Sequence, residues 1–275
     1  MRAPFAKPGR SSQRSPVLDV AAFLMVVAAL IWITGAETSK LSYNWQWYRV
    51  PQYLLSHEDG KWLKGPLIDG LIVTFEITAA SLLLAFSFGL TSALCRLSDS
   101  YVARMAARSY LELIRNTPLL VQLFFTYFVI APIFDLGRFA SAVLSLSLFE
   151  GAYASEIFRA GIVSIHKGQW EAAQSLGLSA FHTYRRIILP QAIRRILPPL
   201  TSQAISLVKD SALVSTIAVY DLTMRAREII SETFLAFEIW FTVAAIYLVV
   251  TLSLSIVVSR MEKRLGKGGG GKTGA

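Results

Sequence analysis

Polar and ionisable side chains stand inside long apolar runs of this 275-residue chain. Their types and spacing suit the handling of a polar solute better than bond-making chemistry. Glu150 follows the run Leu-Ser-Leu-Ser-Leu-Phe at 144–149. A carboxylate inside such a run is costly and marks a function or a fixed partner. It either lines a path for an α-amino group or cationic side chain, or answers a polar group on another segment. Glu156 and Arg159 are three residues apart, which sets both on one helical face, and they read as a structural ion pair. Glu112 and Arg115 share that spacing and that reading. Asn116, Thr117 and Gln122 offer uncharged hydrogen-bonding groups to a pathway. Lys209-Asp210-Ser211 sets opposite charges side by side. Adjacent residues diverge by about 100° around a helix, so each charge needs a partner elsewhere, as a gate or a binding contact. Glu76 reads as structural.

Catalysis and metal binding find no support in the residue types. The single Cys95 excludes an intrachain disulfide and a cysteine-built metal site. The histidines, His57, His166 and His182, lie on separate segments without ligand spacing. No nucleophile–base set is visible, so no catalytic residue and no metal is assigned. The tail at 266–273, GKGGGGKT, fits the phosphate-loop pattern G-x-x-x-x-G-K-S/T. That loop works between a strand and a helix N-terminus. No strand precedes this one and two residues follow it, so a flexible basic tail is the expectation.

The elements that must hold these residues are membrane helices. The chain is 54% hydrophobic and 16% charged, with mean hydropathy +0.50. Soluble domains average about 45–50% apolar and about 25% charged residues. Six apolar segments emerge, at 17–34, 67–94, 110–132, 138–160, 196–219 and 234–258. Each reaches or nears the twenty or so residues a bilayer requires. Residues 1–16 read as a basic tail, and 17–34 as a retained anchor without a usual cleavage site. Residues 35–65 interleave Trp45, Trp47, Tyr48, Tyr53 and Trp62 with charges. They form either an external interfacial segment or a loop with buried aromatics. No clear internal repeat is visible, which weighs against carriers built from inverted repeats.

The net charge of +9 could suggest nucleic acid, but the basic residues cap apolar runs instead. The first tail, the 96–108 loop, residues 159–195 and the last tail hold 18 of the 27 Lys and Arg; the loops on the other side hold seven. That asymmetry places both termini and the 159–195 stretch in the cytoplasm.

Within that stretch, 171–190 reads EAAQSLGLSAFHTYRRIILP, a polar island between apolar runs. Its residues predict two short helices. Gly177 makes the bend, Ser179 caps the second helix and Pro190 ends it. Phe181, Tyr184 and Ile188 form an apolar stripe on that second helix. The pair either enters a groove on another protein or packs as a loop against the membrane.

The spacing EAA-x3-G-x9-I-x-LP, at Glu171, Ala172, Ala173, Gly177, Ile187, Leu189 and Pro190, resembles the signature of permease subunits of bacterial ATP-binding-cassette (ABC) importers. Residues 115–122, 156–161, 167–170, 207–211 and 260–264 are similar to the polar amino-acid uptake branch of that family. The resemblance spans 66–265, with the region at 165–190 as coupling helices and 266–275 as a Gly/Lys tail. His166 departs from the branch, which usually has proline there. The 17–34 span and the aromatic loop are additions to the usual five-helix core.

The resemblance implies an all-α integral membrane protein of about six transmembrane helices in the bacterial inner membrane. It implies as partners a cytoplasmic ABC ATPase dimer carrying ATP and Mg, a second permease subunit (identical or homologous) and an extracytoplasmic amino-acid-binding protein. No nucleic acid is expected, and no cofactor in this chain. An ion-coupled secondary transporter working alone is the alternative.

Overall fold

The computed structural model describes residues 24, 25, 28, 29, 32, 43–58 and 60–267. The chain divides into two units, Met1–Gln46 and Trp47–Ala275. In the first unit residues 24, 25, 28, 29 and 32 are helical. There the Tyr43 and Trp45 rings meet edge to face with centroids 5.2 Å apart. The basic tail at 1–16, most of the run at 17–34 and the end at 268–275 lie outside the described residues.

The second unit opens with a 3-10 turn, Trp47–Arg49, and a short helix, α1 (Pro51–Leu54). Strands β1 (Leu55–Glu58) and β2 (Lys61–Lys64) then pair antiparallel, with Glu58 opposite Lys61. The sequence reading anticipated an aromatic loop here and no strands. The signal lay in Asp59-Gly60 between the two runs, a dipeptide suited to a two-residue hairpin turn. Gly60 takes φ +76.

Helix α2 (Pro66–Leu97) starts with proline in its first turn, where its missing N–H costs nothing. Its buried face is built from Gly70, Thr74, Thr78, Ser81, Ala85 and Gly89, three or four residues apart. Helix α3 (Tyr101–Arg115) follows, its first turn capped by the Ser100 hydroxyl accepting from the Ala103 N–H. Next come α4 (Leu119–Phe125), a π-helical turn (Thr126–Ile130) and α5 (Ala131–Phe134). The single segment expected at 110–132 is broken: α3 and the α4–α5 arm meet at 106°. Pro118 causes the break, because it disfavours helical geometry at Thr117.

After Asp135 in left-handed geometry (φ 51), α6 (Arg138–Val163) packs alongside α2 in the same direction, with Ser81 at Val143, Gly89 at Ala154 and Arg96 at Glu156. The small residues of both helices allow close approach. A Cβ placed on Gly89 would stand 2.8 Å from the Ala154 Cβ, and one on Gly151 would stand 2.9 Å from the Phe88 Cβ. Such a seam is how helices associate where lipid removes the hydrophobic drive between them.

Helix α7 (Lys167–Ser175) and the bend at Gly177 lead to α8 (Ala180–Thr183), a second π-helical turn (Tyr184–Ile188) and α9 (Leu189–Asp210). A 3-10 stretch, Ser211–Ile217, extends α9. Pro190 was expected to end the second short helix; instead the chain stays helical from Ala180 to Ile217. The wide turn just before Pro190 takes up the ring's clash with the preceding turn. The same device precedes Pro132. Helices α10 (Leu222–Thr233) and α11 (Ala236–Lys267) complete the unit.

Three apolar cores lie along α2. One gathers Leu67, Leu222 and Ile239 at its N-terminal end; one gathers Ile77, Leu123, Leu146 and Val214 at its middle. The third gathers Ala93, Phe158, Ile188 and Ile196 at its C-terminal end. By length and apolarity two described helices can cross a membrane, Pro66–Leu97 and Ala236–Glu262, or three if the bent pair counts as one span.

Candidate functional site

Of the expected pathway residues, Glu150 stands on α6, Lys209 and Asp210 at the end of α9 and Ser211 at the start of the 3-10 stretch, while Asn116, Thr117 and Gln122 lie at the break between α3 and α4. Glu150 is fully buried, and its Oε2 accepts from Gln203 Nε2 at 2.7 Å. Its Oε1 has no hydrogen-bond partner. Asp210 approaches the same carboxyl group. Lys209 points away and is exposed, while the buried Ser211 donates to the Val208 carbonyl. The neighbours Lys209 and Asp210 thus diverge, as their spacing requires. A cavity of about 270 Å³ is lined by Leu82, Phe86, Glu150, Ala154, Thr201 and Gln203. Gln203 carried no flag in the sequence, because a lone glutamine in a helix is ordinary until its partner is known.

Glu156 and Arg159 are joined at 2.6 Å, and Arg96 from α2 bonds the other Glu156 oxygen at 2.5 Å. One carboxylate therefore holds two guanidinium groups and ties α6 to α2. Glu112 and Arg115 do not pair. Asn116 Nδ2 donates to Glu112 Oε2 at 2.8 Å, and Arg115 lies over the Tyr153 ring, 5.7 Å from its centroid. Arg115 lies in the last turn of α3, and its side chain meets α6 at Tyr153.

The break itself is stapled. Gln122 Nε2 reaches the Ile114 carbonyl at 2.7 Å and the Thr117 hydroxyl at 2.8 Å, while Thr117 donates to the Leu113 carbonyl. These bonds serve carbonyls that an ended helix leaves orphaned. Asn116, Thr117 and Gln122 are thus brought together, and they hold the backbone of the bend. Glu76 lies on an exposed face of α2 without an ion-pair partner among the described residues.

The island at 171–190 is a knob. His166 stands at the N-cap of α7, its Nδ1 accepting from the Gly168 N–H at 3.0 Å. Gly177 adopts φ +66, and the N–H groups of Gly177 and Leu178 bond back to the Gln174 and Ala173 carbonyls. This left-handed glycine closes α7. Ser179 does not cap with its hydroxyl as expected; it bonds His182 Nδ1 at 2.9 Å instead. Ala173 and Ile188 are fully buried and Ile187 is half-buried. Glu171, Ala172, Gly177, Leu189 and Pro190 are exposed, beside Leu176 and Phe181. The expected apolar stripe is divided: Ile188 packs inward, whereas Phe181 faces out at 65% exposure. Trp170 and Tyr184, 5.0 Å apart and edge to face, brace the two arms.

Among the described residues no group of three His, Cys, Asp or Glu side chains could hold a metal ion. The phosphate-loop pattern falls mostly outside the described residues.

A family model described as "Binding-protein-dependent transport system inner membrane component" matches residues 76–267. The chain is 41% identical over 202 residues to the glutamine transport system permease protein GlnP of Escherichia coli, across 72% of this chain and 92% of that protein. It is equally 41% identical over 202 residues to the L-cystine transport system permease protein TcyB of Bacillus subtilis, covering 72% and 86%. Among solved structures it matches a crystal structure of an amino acid ABC transporter with histidines. There the TM-score is 0.68 at 41% identity, over 72% of this chain and 94% of that one. The MetNI methionine ABC transporter, at 17% identity and TM-score 0.60, shares the fold. The chain belongs to the family of binding-protein-dependent transport system inner membrane components and is a permease subunit of an ABC importer.

Proposed function

We propose that this permease carries a polar amino acid inward, delivered by an extracytoplasmic binding protein and driven by a separate cytoplasmic ABC ATPase dimer. The observation that carries the reading is the knob. Its signature residues stand in register, with Ala173 and Ile188 anchored in the bundle and Glu171, Ala172 and Gly177 presented outward. An exposed, braced helix–turn–helix suits a cleft on the ATPase, whose closure would move it as a rigid coupling element. The amino-acid substrate class is supported by the relatives' names, among which glutamine recurs. An ion-coupled carrier is not supported by these relatives.

In this reading six helices span the inner membrane with both termini cytoplasmic. Helix α6 crosses despite its charges, because Glu150 is buried against Gln203 and Glu156 and Arg159 neutralise each other together with Arg96. Glu150, Asp210 and Ser211 line the pathway, with Lys209 at its edge and Asn116, Thr117 and Gln122 shaping its bend. A second permease subunit, identical or homologous, covers the exposed Glu76 face, since a lipid-facing carboxylate is costly. The hairpin at 55–64, with exposed Trp62, Lys61 and Lys64, lies at the external interface. ATP and Mg belong to the ATPase.

The test is uptake of radiolabelled polar amino acids, glutamine first, into vesicles bearing the permease, its ATPase and the binding protein. ATP-dependent accumulation is expected. Uptake that persists without ATPase or ATP overturns the reading.

A further inference from the structure

A second cavity, of about 510 Å³, adjoins the one that holds Glu150 and shares Gln203 with it. Its wall includes Arg115, Tyr153, Glu156, Ser164 and Arg195. The size falls in the range of small-molecule sites, about 300–1,000 Å³.

The charges in this wall do not balance. Glu156 is its one acid, and Arg96 and Arg159 already hold both carboxylate oxygens. Arg115 has no carboxylate partner; it rests on the Tyr153 ring. Arg195 donates to the Ser164 carbonyl at 2.5 Å and to its hydroxyl at 2.9 Å, both neutral acceptors. Two permanent cations therefore face one cavity without a counter-charge. A guanidinium presents a planar fork of donors that matches a carboxylate.

We propose that this cavity is an inward-side anion site that takes the α-carboxylate of the transported amino acid, with Arg115 and Arg195 as its cationic walls. The inference rests on the amino-acid reading above for the identity of the ligand. Position supports it: Gln203 forms the partition, so a solute leaving the Glu150 carboxylate passes directly to the guanidinium groups. A zwitterion suits that sequence, its ammonium group held first and its carboxylate next. Ser164 lies two residues before His166, and Arg195 five residues after Pro190. Their bridge spans the two chain segments that carry the knob. A movement of the knob would alter the spacing of this wall and so the hold on the anion.

The experiment uses the full chain assembled with its ATPase in nanodiscs, without nucleotide. Arginines are modified with phenylglyoxal and located by peptide mass spectrometry. L-Glutamine, its α-amide and acetate serve as competing probes. Glutamine is expected to slow modification of Arg115 and Arg195 about five-fold, and the α-amide to leave it unchanged, because a guanidinium pairs with the carboxylate. Arg115→Gln is expected to weaken glutamine binding about ten-fold and Arg115→Lys less, since the loss is of a charge-assisted bond. Equal protection by the α-amide, or no protection by glutamine or acetate, overturns the site. Glutamine transport without protection overturns the site and leaves the amino-acid reading intact. Protection by acetate, with no amino acid bound or transported, upholds the anion site while the amino-acid reading falls.

Discussion

The knob at 166–190 and the polar seam that α6 makes with α2 and α9 use similar residues in opposite ways. In the knob the polar groups face out and small or apolar residues, Ala173 and Ile188, fix it to the bundle. In the seam the acids find their partners inside the bundle, Glu150 in Gln203 and Glu156 in two arginines, beside buried apolar residues such as Leu146 and Phe158. A knob exposed to water needs only correct backbone geometry, because water satisfies its polar atoms. The seam needs every partner in place, because a buried unpaired charge is expensive. The two regions should therefore fail differently: the knob through coupling, the seam through stability or selectivity.

The largest effect is expected where the seam's scaffold tolerates no volume. Gly151→Leu forces a side chain against Phe88 and Tyr110. It should cost about 3 kcal/mol, the upper end for overpacking, and remove most folded protein, read by thermal unfolding in detergent. Gly177→Val is next and tests the knob. A β-branched residue at φ +66 costs about 1–3 kcal/mol of strain, so the bend should reopen locally and ATP-driven uptake fall about ten-fold. The unfolding midpoint of the bundle should stay near that of the parent; a large fall would mean the knob is part of the scaffold. Glu156→Gln comes third. The ion pairs are partly exposed, so the loss should be about 1 kcal/mol, seen as a modest fall in unfolding midpoint that salt reduces in the parent. His166→Pro should do least. Residue 166 already has φ −58, which proline prefers, so the change in stability should stay within about 0.5 kcal/mol and uptake should be preserved. A strong loss would show that the imidazole cap carries coupling.

Much of this was legible in the residues and some was not. The island's register, the bend at Gly177 and the Glu156–Arg159 pair all depend on local spacing. Glu112 and Arg115 share one face of α3 and still do not pair, because Asn116 takes the Glu112 carboxylate and Arg115 turns to the Tyr153 ring on α6. Pro190 reads locally as a stop, but the π-helical turn before it keeps the chain helical, and nothing in Tyr184–Ile188 signals a widened turn. The hairpin at 55–64 is hard to read from the residues because its strands are only four residues long and sit among aromatic and charged side chains.

By itself the sequence determined the membrane class and the family signature, since apolar length and spacing are one-dimensional quantities. Tertiary structure alone decided that Gln203 answers Glu150, that Arg96 completes the Glu156 pair and that Arg115 and Arg195 share a cavity. Those contacts join residues 53, 60 and 80 positions apart. Which of many buried polar groups meet is settled by how small-residue faces pack, and no local pattern encodes that.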